Sequence, residues 1–104
     1  MTDRKIRARK DAGRRAAAEA IAIAAFTFLA AEPERLGRFL ASSGIAPEAI
    51  RAAAGGPDFL AGVLDHFAGD EELLVAFARE AGLDPAEVER ARAALGGHWE
   101  RDLP

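Results

Sequence analysis

Proline and glycine recur along this 104-residue chain at intervals too short for any long element downstream of residue 33. Pro33, Pro47, Pro57 and Pro85 each stand where a first-turn N–H would go unsatisfied anyway. Gly44, Gly55, Gly56 and Gly82 stand where a helix stops by turning left-handed. No stretch alternates apolar and polar residues with a period of two, so no strand is expected. Alanine, leucine, glutamate and arginine dominate, and this balance favours helix. The punctuation predicts six short helices, over residues 15–31, 33–43, 47–54, 57–68, 71–81 and 85–95, packed as one all-α bundle. Asp70 and Asp84 are placed to cap the fifth and the sixth.

The segments are related. Shifted by 38 residues, "FLAAEPERLGRFLASSGIAPEAI" lies over "HFAGDEELLVAFAREAGLDPAEV", matching Leu36 with Leu74, Phe39 with Phe77, Gly44 with Gly82 and Pro47 with Pro85. Upstream, Ile21, Ala25, Phe26 and Leu29 fall on Phe59, Val63, Leu64 and Phe67 without a gap. A shared Gly-x-x-Pro signal within matched apolar patterns is the mark of a duplicated three-helix unit.

The repeat decides how "RRAAAEAIAIAAFTFLAAEPE" is to be understood. A basic flank and an apolar centre also describe a signal peptide or a membrane anchor. The apolar centre is short of the ~20 residues that span a bilayer, and Glu19 interrupts the alanine tract before it. Its apolar stripe matches that of the fourth segment, which has no basic flank, so a retained core helix is expected. At 100° per residue Ile21, Ala22, Ala25, Phe26 and Leu29 face inward. Ile23 points away, amid Ala16, Ala20, Thr27 and Ala30, none of them charged. That outer face is expected to be covered by a second copy of the chain, or by the chain's own arm or tail. Three parts are expected: a basic N-terminal arm (1–14), the bundle (15–97) and a C-terminal tail (98–104).

The blocks "ERLGRFLASSGI", "FLAGVLDHFAGDEELLVAFAREAGL" and "ARAALGGHWE" together resemble a small alphaproteobacterial family known as a domain of unknown function, number 3572. The resemblance covers residues 16–100 and implies a short helical protein, with no activity, cofactor or catalytic residue attached. In that family an apolar residue often stands where this chain has His66, and the basic arm is additional to the usual pattern.

Reactive constellations are sparse. With no cysteine there is no disulfide, thiolate metal site or Cys nucleophile, which suits a reducing cytoplasm. "DHFAGDEE" gathers Asp65, His66, Asp70, Glu71 and Glu72, but adjacent helical residues point about 100° apart and do not converge on a metal. Phe28 holds the place of His66 in the first repeat, so His66 is expected to flank the core. Ser42 and Ser43 have no base at a recognisable spacing, and neither G-x-S-x-G nor a phosphate loop is present. No catalytic residue, cofactor or metal is expected.

Binding residues are easier to find. Arg4, Lys5, Arg7, Arg9, Lys10, Arg14 and Arg15 against Asp3 and Asp11 give residues 1–15 a net charge of +5, while seven Arg against fifteen Asp/Glu leave the rest at −8. Such an arm can bind phosphate backbones, although it carries no aromatic to stack on bases, and its alternatives are a disordered, solvated terminus or an extension of the first helix. The third segment offers a groove only Arg51, and its partner mixes Arg90 and Arg92 with Glu87 and Glu89, a poor recognition helix. Ile23, Thr27 and Trp99 are the candidate protein contacts, with Trp99 either docked on the bundle or free as an anchor. The expected function is a cytoplasmic adaptor or regulatory module that binds another protein, a homodimer included. A nucleic-acid-associated factor using the arm comes second, and no membrane is expected.

Overall fold

The computed structural model describes residues 2–50 and 56–101, with side chains described at 13–46, 48–50, 56 and 58–96. Among them there is no strand. Five α-helices follow one another: α1 (Thr2–Ala30), α2 (Pro33–Ser43), α3 (Pro57–Ala68), α4 (Glu71–Ala81) and α5 (Pro85–Arg101).

Among the described residues there are five helices rather than the six expected, which is the first correction. Where a third helix is expected, the described backbone makes a 3-10 turn over Pro47–Ala49 and is helical at Ile50, and residues 51–55, with Arg51, lie outside the described residues.

The second correction concerns length. Helix α1 starts at Thr2 rather than near residue 15, so the backbone of the basic arm is the first half of one 29-residue helix. Alanine, arginine and lysine are good helix formers, and the change of charge at Arg15 puts no break in the backbone. Helix α5 likewise continues through Gly96 and Gly97 to Arg101. A radius of gyration of 14.6 Å exceeds the about 13 Å of a spherical domain this size, as two long helices require.

The expected caps form. Asp70 Oδ1 accepts from the N–H of Leu73 at 3.1 Å. Asp84 Oδ1 accepts from Ala86 at 2.8 Å while Glu87 Oε2 accepts from the Asp84 N–H at 3.2 Å, a reciprocal capping box. Gly44 and Gly82 close α2 and α4 at φ of 73° and 71°, the only positive values among the described residues.

Helices α1 and α3 each touch all the other helices, so the core lies between them. From α3 come Phe59, Leu60, Val63, Leu64 and Phe67, all buried. From α1 come Ala18, Ala22, Ala25, Phe28 and Leu29. Burial at this depth stabilises by about 1.5–3 kcal/mol for each large side chain. The six phenylalanines form two sets of three. Phe26, Phe39 and Phe59 meet at 5.2–6.3 Å between centroids, and Phe28, Phe67 and Phe77 meet at 5.2–6.3 Å. Arg35 closes the second set, its guanidinium 4.2 Å from the centre of Phe28.

Candidate functional site

Two surfaces carry the residues singled out from the sequence. One is an open groove of about 670 Å³ between α2 and α3, lined by Phe39, Ser42, Asp58, Phe59, His66 and Asp70. Its centre is His66, half-buried, with its ring 5.4 Å from Phe39 and 6.3 Å from Phe67, so it joins the two aromatic sets. Burial holds the imidazole below its ordinary value of 6.5, and the carboxylate of Asp70 offsets part of that.

Ser42 Oγ lies 3.1 Å from His66 Nδ1, a contact that the 24-residue separation conceals in the sequence. The same hydroxyl donates to the Phe39 carbonyl at 3.2 Å. Which of the two donates to the other is set by the His66 tautomer. The pair works as a polar tie between α2 and α3.

Asp65 and His66 diverge, as their adjacent helical positions demand. Asp65 Oδ1 accepts from Arg92 Nε at 2.7 Å, joining α3 to α5, while Arg92 also meets Glu89 at 3.6 Å. No group of three or more His, Asp or Glu that could hold a metal occurs among the described residues.

The second surface is the outer face of α1. Ala16, Ala20, Ile23, Thr27 and Ala30 are all exposed, and Ile23 is 53% exposed. Thr27 Oγ1 donates to the Ile23 carbonyl at 3.0 Å, so its methyl group is what it offers outward. The opposite face holds the buried Ala22, Ala25 and Leu29, as expected, while Ile21 and Phe26 are only partly buried. Among the described residues Val75 on α4 is the other exposed large hydrophobic residue, at 41%. It differs in its surroundings, since Glu71, Glu72 and Arg79 flank it on the same helix.

Of the basic residues, Arg14 and Arg15 are exposed, and Arg14 also lines a space of about 420 Å³ between α1 and α5. Arg4, Lys5, Arg7, Arg9 and Lys10 fall on the backbone of α1, and Trp99 and His98 on that of α5, but their side chains lie outside the described residues. No single helix among the described residues is long and apolar enough to cross a membrane, and α1 and α2 meet at a bend of 117°.

Among the described residues, five helices on a phenylalanine-rich core, with a serine–histidine tie and an outer stripe of small residues around Ile23, define a small all-α domain. The chain belongs to the family described as protein of unknown function (DUF3572), whose profile matches residues 15–98. No curated protein and no solved structure matches the chain.

Proposed function

We propose that this chain is a small non-enzymatic interaction module that binds another protein through the outer face of α1. The observation that carries this is the exposure of Ile23 among the small uncharged Ala16, Ala20, Thr27 and Ala30, with Glu19 at the edge of the stripe. A helix that faces water across its back normally carries Lys or Glu there. Uncharged small side chains around one large apolar one suit a second helix approaching closely. The absence of cysteine fits work in a reducing cytoplasm. Tagged wild-type chain and Ile23→Glu, each expressed in the native cell and captured, test the proposal by mass spectrometry. A specific partner present with the wild type and lost with the variant is expected; identical captured sets contradict it.

A second reading gives the basic arm to nucleic acid. It is favoured by one observation, that the backbone is helical from Thr2, which sets seven basic residues along one helix. Arm-dependent binding of DNA or RNA at low salt that weakens steeply as salt rises is its expected signature in a fluorescence anisotropy titration.

The body is further inferred to be a duplicated three-helix unit. Shifting by 38 residues turns Phe39 into Phe77 and Phe28 into His66. Phe39 packs on His66 at 5.4 Å, and Phe77 packs on Phe28 at 5.6 Å, so each half presents an equivalent ring to an equivalent place on the other.

A further inference from the structure

We propose that the groove between α1 and α5 binds a small amphiphilic carboxylate, an apolar chain that ends in a single negative charge. The groove holds about 420 Å³, within the range of small-molecule sites. It exists because much of its wall is alanine. Ala18 on α1 and Ala91 on α5 line it from buried positions, and Ala17 and Ala94 from exposed ones. A methyl group at each of these places leaves open the space that a larger side chain would fill. Ile21 and Leu83, both half-buried, add the larger apolar surface. Along α1 the lining runs from Arg14 to Ile21, about 10 Å, so it is cationic at one end and apolar at the other.

The charged groups select the ligand. Arg14 and Arg90 line the groove, one from each helix, and both are exposed. Among the described residues neither is in an ion pair, whereas Arg35 and Arg92 are. Among the described residues Glu87 is the one carboxylate in the lining, and its Oε2 accepts from the N–H of Asp84 at 3.2 Å, at the start of α5. Two arginines against one glutamate leave the lining at +1. A monoanion matches that charge. A phosphate monoester, which carries close to two charges at neutral pH, exceeds it. The planar arginine fork also fits the two oxygens of a carboxylate. A cationic head is repelled by both arginines.

The larger groove between α2 and α3 offers no such match. Its polar groups other than Asp58 are engaged with the protein itself. Ser42 meets His66, Ser43 donates to the Leu40 carbonyl, Asp65 holds Arg92, and Asp70 caps Leu73. Asp58 is itself an anion. Ile23 does not line the α1–α5 groove, so this site goes beyond the proposed protein contact and stands or falls without it.

Decanoate serves as the probe, kept below the concentration at which it forms micelles, with decylamine and decyl phosphate as controls of the same tail. Isothermal titration calorimetry of the full chain is expected to show a saturable site for decanoate, several-fold weaker binding of decyl phosphate and no binding of decylamine. Combining Arg14→Gln with Arg90→Gln is expected to weaken decanoate binding about tenfold. Both side chains are exposed and outside ion pairs, so the double variant keeps the wild-type circular dichroism and melting temperature. Ala94→Leu, which places a larger side chain on the exposed part of the wall, is expected to weaken decanoate by a similar factor. A wild type that does not bind decanoate overturns the proposal. So does equal binding of decanoate and decylamine, or decanoate binding that the double arginine variant leaves unchanged. Decyl phosphate binding as tightly as decanoate overturns the assignment of a single negative charge.

Discussion

Gly44 and Gly82 sit at φ values of 73° and 71°, where a Cβ meets its own backbone, although the space around each is open. Gly44→Ala and Gly82→Ala should therefore each destabilise by about 1 kcal/mol through backbone strain. Gly37, inside α2, has open space where a Cβ would stand, with no atom within 4 Å. It should behave oppositely, and Gly37→Ala should stabilise by about 0.5–1 kcal/mol. Urea melts of the three variants separate strain from propensity. His66 supplies a pH test. Its folded-state value lies below the ordinary 6.5, so the unfolded chain takes the proton first. Its contribution to stability is present above 6.5 and is lost as pH falls from there through the folded value. His66→Phe, which restores the residue type of Phe28, should remove this part of the acid-side slope and change stability at neutral pH by less than about 1.5 kcal/mol. A variant with the wild-type slope would show that another group is responsible. At this scale the caps and glycine stops were legible, because each depends on residues within a few positions. The Ser42–His66 tie was not, because it joins separate helices and no local pattern marks it.

Phe39 in α2 and Phe77 in α4 are 1% and 2% exposed. Each touches rings from other helices, so Phe39→Ala and Phe77→Ala should each cost about 3–5 kcal/mol in equilibrium unfolding. Loss well below that for one of them would mean that its aromatic set collapses to fill the space. The Asp65–Arg92 tie between α3 and α5 is exposed on both sides, and Arg92→Ala should lower stability by less than about 1 kcal/mol. Existence and type were legible for these helices because their apolar faces are dense: α4 buries Leu74, Phe77 and Ala78 at helical spacing. Lengths were less so. Continuation of α1 back to Thr2 and of α5 through Gly96-Gly97 is a propagation effect, in which a formed helix extends at low cost past residues that never nucleate one.

The whole molecule places an acidic body beneath a long helix that begins basic and ends beside Glu32 and Glu34. Its inward face was legible as a core stripe, and so was the oddity of Ile23. No periodicity within the chain says what, if anything, covers that face. The central claim is that the outer face of α1 is covered when the protein is at work. Thiol labelling tests this most directly, comparing Ile23→Cys with Ala81→Cys, a position exposed at the end of α4. In cells at native expression, labelling at position 23 should be several-fold slower than at position 81, and the two rates should converge for purified chain at high dilution. Equal rates in cells would mean that the face stays open to water, and would contradict the account.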